Sequence, residues 1–188
     1  MNFTDAVDSV IEKVKRPDKL SLARLEVNAA LVLYSSQMDS PRDIVEGTYT
    51  SGVPADFAHV VPLTTFPRFR KMDWLRYTGT RNYICPLDSR LLGSTCDVRD
   101  KYYLAGDSFK INLSRSVDNL EYSYFAWPAT LTDAAPNHWQ LEGNWPAIVA
   151  KAASKVFVDI GDAEAAARAE REAAVHFLSF QGDIIRGT

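Results

Sequence analysis

The side chains that could do chemistry in this sequence are few and widely separated. Its three histidines, His59, His138 and His176, lie in a predicted strand, a linker and a predicted helix, and no HExxH-type spacing connects them. His176 follows Glu172 by four residues, which is more typical of a pair on a helix surface than of two metal ligands. The sequence therefore predicts no metal site.

The sequence also gives no support for nucleophilic catalysis. The sequence contains no G-x-S-x-G, P-loop or G-x-G-x-x-G motif. Cys85 and Cys96 could face each other across a hairpin, but in a reducing compartment we expect two free thiols. Asp43 with Glu46, and Asp97, Arg99 and Asp100, could be invoked as acid–base groups, although turn and solvated-loop roles explain them more simply. We expect no enzyme activity and no cofactor.

One stretch mixes cations with aromatic residues, a combination found on nucleic-acid surfaces and in protein interfaces. Its members are Arg68, Arg70, Lys71 and Arg76, interleaved with Phe66, Phe69, Trp74 and Tyr77. Alternation along a strand could place the arginines on one face. We favour an outer sheet face or a protein interface, because the net charge of −3 and the mixing of acids with bases argue against a nucleic-acid binder.

Length and composition allow one domain, or one domain with an inserted subdomain. The chain has 188 residues, of which 46% are hydrophobic and 24% charged, which is ordinary for a globular protein. The longest apolar runs are too short for a membrane span, and the start MNFTDAVDS lacks a signal-peptide pattern. We expect no membrane association and synthesis in a cytoplasm-like compartment.

Both ends of the chain predict helical hairpins. Near the N-terminus a first helix follows Asn2 and Thr4 and stops at Pro17, and a second ends near Met38. Their predicted apolar faces are Phe3, Val7, Val10, Ile11 and Val14, then Leu22, Leu25, Ala29, Ala30, Val32 and Leu33.

At the other end, residues 144–180 predict two helices that are separated by Gly161, with Asp162 as the cap of the second. The first carries an apolar stripe of Trp145, Ile148, Val149, Ala152, Val156 and Ile160. The second carries a small-residue face of Ala163, Ala166, Ala167, Ala173, Ala174, Phe177 and Leu178. Small residues let helix axes approach closely, which favours a tight antiparallel hairpin.

Between the hairpins, residues 48–130 have the composition of β-structure. The predicted strands are 59–64, 71–77, 82–85, 102–104, 108–113 and 120–127. Ala105-Gly106-Asp107 predicts a tight hairpin turn. In the last strand both faces carry aromatic residues, which indicates a central strand or an interface. We therefore predict an α+β fold, an antiparallel helical bundle of N- and C-terminal hairpins with an inserted small antiparallel β domain. The predicted bounds are 1–47, 48–131 and 132–180, followed by an extended tail at 181–188.

Four segments, taken in order, resemble a head-to-tail adaptor (connector) protein of tailed bacteriophages, of the short-tailed-phage type. They are RPDKLSLARLEVNAALVLY, GVPADFAHVVPLTTFPRFRKMDWL, DSFKINLSRSVDNLEYSYFAWPATLTD and NWPAIVAKAASKVFVDIGDAEAAARAEREAAVHFL. The resemblance covers most of the chain. The tyrosine-rich strand departs from the family in ending in Phe125-Ala126-Trp127-Pro128 instead of the more frequent tyrosine-arginine-proline.

The resemblance implies a structural virion protein at the head–tail junction, assembled in the host cytoplasm. Such a protein forms a ring, usually of twelve copies, beneath the portal protein. The ring extends the channel for genomic DNA, which passes without sequence-specific binding, and docks the next tail or nozzle protein. The C-terminal tail is then the portal-binding segment, with Gln181, Asp183, Ile184, Ile185 and Arg186 as contact residues.

The same resemblance implies an interface with a neighbouring subunit or a tail protein. The residues expected there are Arg68, Arg70, Trp74, Tyr124 and Trp127. Three alternatives remain open. The chain could be a neck stopper or tail-tube protein one layer below, a carbohydrate- or peptide-binding β module with Trp74, Tyr102, Tyr103 and Trp127 as platforms, or a small hydrolase, which has the least support.

Overall fold

The protein is an α+β fold in which a β unit is inserted into a helical unit. The computed structural model describes residues 1–53, 59–88 and 99–186, and for 51–53 and 183–186 it describes the backbone alone. The helical unit consists of Met1–Met38 and Pro128–Thr188, and the β unit is Asp39–Trp127. The two changes of unit thus come several residues earlier than the bounds after 47 and after 131 that the sequence predicted.

The first helix of the helical unit is capped by Asn2, one of the two capping residues that the sequence predicted. The helices of the described chain are α1 (Phe3–Val14), α2 (Leu20–Ser36), α3 (Trp139–Gly143), α4 (Trp145–Asp159) and α5 (Ala163–Arg186). Asn2 and Asp5 form a reciprocal capping box at the start of α1, in which the Asp5 backbone N–H donates to the Asn2 side chain at 2.9 Å. Among the described helices, none has the length and apolar character needed to cross a bilayer.

Helix α4 is the centre of the helical unit, since α1, α2 and α5 all pack against it. Most of its buried residues are small, which lets three neighbouring helices approach it. They are Ala147, Ile148, Val149, Ala150, Ala152, Ala153, Ser154 and Val156. Trp145, which the sequence placed on the buried stripe, is 38% exposed.

The buried face of α2 differs from the predicted one. The helix buries Ala23, Val27, Ala30, Leu31, Tyr34 and Ser35. Leu25 and Val32 are 63% and 42% exposed, and Ala29 is exposed as well. Apolar residues occur on more than one side of α2, so periodicity alone does not select the side that meets α4.

The connection from α4 to α5 confirms the predicted stop and cap. Gly161 has φ 81°, a left-handed conformation that glycine adopts readily, and the Asp162 carboxylate accepts a hydrogen bond from Ala165 N at 2.9 Å. The buried face of α5 is rotated from the prediction and consists of Ala165, Ala166, Ala169, Ala173 and Phe177. The predicted face residues Ala163, Ala167, Ala174 and Leu178 are exposed.

The β unit contains two sheets. Its described strands are β1 (Ile44–Val53), β2 (His59–Pro62), β3 (Phe69–Tyr77), β4 (Cys85–Pro86), β5 (Lys101–Ala105), β6 (Ser108–Asn112) and β7 (Val117–Ala126). One sheet has the order β1-β7-β3 and the other β2-β6-β5-β4. β7 is therefore central, which is one of the two alternatives that its aromatic faces indicated. Gly106 at φ 62° turns the β5–β6 hairpin.

Two features of the β unit correct the prediction. β4 pairs with β5 in parallel, so the unit is not wholly antiparallel. β1 was not predicted, because Glu46 and Gly47 interrupt its strand-forming residues. Gly47 packs closely against Tyr122 of β7, since a Cβ there would lie 2.5 Å from the Tyr122 hydroxyl and would force that ring to shift.

Candidate functional site

The predicted portal-binding segment forms the C-terminal end of α5. α5 runs to Arg186, so residues 181–186 are helical and not extended as the sequence predicted. Gly182 does not end the helix, because glycine in a helix costs only about 1 kcal/mol relative to alanine and no proline follows. Asp183, Ile184, Ile185 and Arg186 thus occupy its final turn.

This last part of α5 starts from a firmly packed point. The Phe177 ring stacks on Tyr34 of α2 with 4.3 Å between ring centroids. The Phe180 ring lies 6.1 Å from Trp139 and rests on Gly143, where a Cβ would come within 2.7 Å of it. The segment from Gln181 onward therefore leaves the helical core from a fixed position.

In the β unit, the predicted interface residue Arg70 is almost covered. Its side chain is 7% exposed, and a terminal nitrogen lies 3.3 Å from the Asp39 carboxylate. The guanidinium carbon lies 5.3 Å from the Phe125 ring centroid and 5.7 Å from that of Trp127. Cation–π contacts of this kind are strongest where water is excluded.

The same cluster joins the two ends of the β unit. Asp39 and Trp127 are the first and last residues of that unit, and Lys71 Nζ donates to Asp39 at 2.7 Å. Arg68 Nη1 donates to the Trp127 carbonyl at 2.9 Å, while Trp127 N donates to the Arg68 carbonyl at 2.6 Å. We call Asp39, Arg68, Arg70, Lys71 and Trp127 the neck cluster. Its contacts stabilise the insertion, and Arg68 and Lys71 remain exposed.

Trp74 contributes to a separate, more accessible group on β3. The Arg76 guanidinium carbon lies 4.4 Å from the Trp74 ring centroid, and Arg76 Nε donates to Glu121 at 2.6 Å. That hydrogen bond, with a further one from Gly79 N, lowers the pKa of Glu121. Tyr83 is 52% exposed and meets Trp74 edge-on, with 6.5 Å between ring centroids. We call Trp74 and Tyr83 the aromatic corner; it lies beside Arg76, a cation that is held in place by Glu121.

Tyr124 belongs to the core of the β unit and not to a surface. It is 1% exposed, and its hydroxyl donates to the Pro67 carbonyl at 3.0 Å. The alternation that suggested one face of arginines is also interrupted, because β3 has register shifts between Phe69 and Lys71 and between Met72 and Trp74. At a bulge, successive side chains no longer alternate strictly between the two faces of the sheet.

The histidines lie apart, and each has a local role. The Tyr49 hydroxyl is 2.9 Å from His59 Nε2, and burial lowers the pKa of His59 below its usual 6.5. His138 caps α3 by accepting a hydrogen bond from Gln140 N, and His176 lies 3.9 Å from Glu172 on the surface of α5. No group of three His, Cys, Asp or Glu that could hold a metal occurs in the described residues.

Asp100 has a clear structural role, as its turn position indicated. Its φ is 53°, and its carboxylate accepts hydrogen bonds from Ser114 N and Ser114 Oγ, both at 2.9 Å, and from the Tyr77 hydroxyl. Burial alone would raise the pKa of Asp100, but these hydrogen bonds outweigh burial and lower it. Arg99 is exposed, Asp43 lies in a short turn before β1, and Glu46 is an exposed residue of β1. Cys85 is an exposed free thiol, whereas Cys96 and Asp97 lie outside the described residues.

Sequence reasoning missed the exposed apolar side chains of the helical unit. Leu25 on α2 and both Val175 and Leu178 on α5 are more than 60% exposed. Val175 and Leu178 lie three residues apart on one helix, and contiguous exposed apolar residues can mark an interaction surface. The helical periodicity of these segments was visible in the sequence. Which side of each helix is buried was not, so the exposure of these residues was not predicted.

No protein-family model matches the chain, and no curated protein matches it.

Proposed function

We propose that this chain is the subunit of a head-to-tail adaptor ring in a tailed bacteriophage, with a structural and not a catalytic role. The observation that carries the proposal is the order of its units, in which both ends of the chain build the helical unit and the β unit lies between Met38 and Pro128. The sequence segments that resemble the adaptor family follow the same order. The ring, of twelve copies in the family, binds beneath the portal and lets the genome pass.

The proposal includes an antiparallel bundle of N- and C-terminal helical hairpins. Its support is the shortness of the connections. Only Ile160, Gly161 and Asp162 separate α4 from α5, and α1 is joined to α2 by residues 15–19. Short connections favour antiparallel neighbours in helical bundles.

In this function the end of α5 contacts the portal. Gln181, Asp183, Ile184, Ile185 and Arg186 are the proposed contact residues, and a preformed helical turn loses less entropy on binding than an extended tail. Burial of both isoleucines would contribute about 3–5 kcal/mol per copy before ordering costs. A ring repeats this contact, so modest contacts add to firm attachment.

Deletion of residues 181–188 tests the portal contact. We expect the shortened protein to lose binding to the portal ring encoded in the same genome, as measured by cosedimentation and by negative-stain microscopy. Deletion of Gly187 and Thr188 alone is the matched control and should leave binding intact. Unchanged portal affinity after the longer deletion would refute the contact. Absence of any portal binding by the intact chain would favour a neck stopper or tail-tube protein.

A second function is favoured by one observation, the aromatic corner of Trp74 and Tyr83 beside Arg76. Exposed aromatic rings with a fixed polar group bind sugars and peptides. The other predicted platform residues fit less well, since Trp127 belongs to the neck cluster and Tyr102 and Tyr103 are half-buried. Glycan or peptide binding that is lost in Trp74→Ala and retained after deletion of 181–188 would support this module.

A further inference from the structure

The aromatic corner lies on the outer face of the β1-β7-β3 sheet, while the opposite face of this sheet packs in the core of the β unit. Trp74 and Arg76 of β3 lie opposite Ser123 and Glu121 of β7. Arg76 is also paired, in antiparallel orientation, with Tyr83. Residues that lie directly opposite each other on neighbouring strands project to the same face. The side chains of the corner are therefore gathered on one face by the register of the strands.

The backbone fixes the position of Tyr83. After β3 the chain turns at Gly79, where φ is 68°, and returns along β3, where Ile84 N donates to the Leu75 carbonyl at 2.8 Å. Ile84 is buried, so the residue next to Tyr83 is anchored in the core. The Tyr83 side chain itself is 52% exposed. An exposed ring on an anchored backbone loses little entropy when a ligand covers it.

Arg76 holds the side chains of this site in place. Its guanidinium carbon lies 4.4 Å from the Trp74 ring centroid, and its Nε donates to Glu121, which accepts a second hydrogen bond from Gly79 N at 3.2 Å. The hydrogen bond to Glu121 raises the pKa of Arg76, and the Tyr83 side chain raises it further, so Tyr83 lies within reach of the guanidinium. The Arg76 and Glu121 side chains remain 32% and 23% exposed, so both can still meet a ligand.

The polar part of the site suits hydroxyl groups. Glu121 balances the charge of Arg76, so the pair has no net charge of its own. It offers N–H donors and carboxylate acceptors side by side, and a hydroxyl group can accept from the first and donate to the second. A neutral ligand that carries several hydroxyl groups therefore fits the pair better than an anion does.

Two features of the corner disfavour a peptide ligand. The edge of β3 beside Tyr83 is already covered by the returning chain through the bond from Ile84 to Leu75, so a peptide strand cannot be added there. The planes of the Trp74 and Tyr83 rings meet at 78°. Rings in this edge-on arrangement do not form the parallel walls of a groove for a proline ring.

We propose that the aromatic corner binds a pyranose ring of a neutral glycan. The exposed Tyr83 ring is the platform for the C–H groups of one sugar face, because the face of an aromatic ring is negative and attracts weakly positive hydrogens. Arg76 and Glu121 hydrogen-bond the sugar hydroxyl groups, and Trp74 is a positioning residue that supports the guanidinium. The inference goes beyond the adaptor role and rests on the second function proposed above, whose ligand class it names.

The first test asks which ring is the platform. A printed array of neutral glycans selects the glycan that the full-length chain binds best, and isothermal titration calorimetry with that glycan gives its Kd. We expect Tyr83→Ala to raise the Kd about tenfold or more and Tyr83→Phe to raise it less than about threefold, because phenylalanine keeps the ring. Tyr103→Ala is the matched control, since Tyr103 is a half-buried tyrosine of β5 outside the corner. An equal loss in Tyr103→Ala would overturn the proposal.

The second test asks whether the ligand is recognised by geometry or by charge. Arg76→Lys keeps the charge and loses the planar fork, so it should raise the Kd about fivefold or more. Raising NaCl from about 50 mM to about 500 mM should change the Kd less than about twofold, because a neutral ligand is not screened. Circular dichroism shows whether each variant is folded. Binding that survives in Arg76→Lys and weakens with salt would mean an anionic ligand and overturn the proposal.

The remaining outcomes separate this inference from the functions proposed above. Binding of no neutral glycan overturns it. Peptide binding on a peptide array that Tyr83→Ala abolishes would then leave the second function standing with a peptide ligand, and absence of both would remove that function as well. The adaptor role predicts equal portal binding by the wild type and Tyr83→Ala. Loss of portal binding in Tyr83→Ala, without glycan binding by the wild type, would place the corner against the portal and overturn the glycan site.

Discussion

Asp100 illustrates how a single carboxylate can hold several segments of the β unit together. Its side chain accepts hydrogen bonds from Tyr77 on β3 and from Ser114 after β6, and its carbonyl accepts one from Cys85 N on β4. An acid beside Arg99 could be invoked for acid–base catalysis, but a turn role was the simpler prediction. The hydrogen bonds explain the residue as a structural acceptor at a left-handed turn position.

Asp100→Asn tests the contribution of the charge. The pKa of Asp100 is lowered from 3.8, so its charge stabilises the fold above the unfolded-state pKa, and this stabilisation is lost as pH falls through the lowered value. Asparagine tolerates the same φ, so the backbone should be retained. We expect Asp100→Asn to cost about 1–2 kcal/mol at neutral pH. The difference from the wild type should shrink below about pH 4.

Urea unfolding at a series of pH values measures both effects. Asp107→Asn is the control at neutral pH, since Asp107 is an exposed turn residue whose carboxylate accepts a hydrogen bond from its neighbour Ser108. It should change stability by less than about 0.5 kcal/mol. An equal loss for Asp100→Asn at pH 3 and pH 7 would show that packing and not charge is responsible.

At the scale of elements, α5 has two sides with different tasks. The buried side packs on α4 through alanines and ends in the stack of Phe177 on Tyr34. Between the two helices, Glu170 of α5 also accepts hydrogen bonds from Lys151 and from Ser154 of α4. The opposite side is exposed and apolar near its end. Helical propensity from its alanines makes α5 long, while its buried side alone attaches it to the unit.

Adjacent residues of α5 test this division. Phe177→Ala should destabilise the protein by about 3–5 kcal/mol, because it removes a buried ring and its stacking contact with Tyr34 on α2. Leu178→Ala should change stability by less than about 0.5 kcal/mol, since Leu178 is 67% exposed. Chemical denaturation at low protein concentration, where copies do not associate, measures both. A large loss for Leu178→Ala would mean that α5 packs in a different phase.

At the scale of the whole molecule, the chain has two separate hydrophobic cores. One is built by α1, α2 and α4 with Leu131, Leu141 of α3 and Phe177 of α5. The other is built largely by aromatic and aliphatic residues of both sheets, with Phe66 in edge-on contact with Phe109, Tyr122 and Tyr124. The proposed function assigns attachment and ring formation to the first unit and leaves the second for contacts with a later tail component.

Two matched leucines test whether the cores are independent. Leu120 in the β unit and Leu141 in the helical unit are both fully buried. Each Leu→Ala change should cost its own core about 2–5 kcal/mol. Hydrogen exchange followed by mass spectrometry should show faster exchange in the β unit for Leu120→Ala and in the helical unit for Leu141→Ala. Equal acceleration throughout the chain in either variant would indicate one cooperative unit.

Local signals in the sequence determined where most elements begin and end. Asn2 with Asp5, Gly161 with Asp162, and Gly106 act within a few residues of themselves, so their effect is readable without the fold. Aromatic residues on both faces of β7 indicated a central strand or an interface, because such faces require cover on both sides. The insertion of β structure between helices followed from the strand-type composition of residues 48–130.

Tertiary structure alone decided which side of each element is buried. α2 offers apolar residues on several sides, and the fold buries Ala23 and Val27 and leaves Leu25 exposed. Arg70 is covered because Asp39 and Trp127, far apart in sequence, meet beside it. The last turns of α5 are helical, whereas the sequence predicted an extended tail at 181–188. Burial depends on partners distant along the chain, whereas caps and turns depend on neighbours, and that difference separates what the sequence determined from what the fold decided.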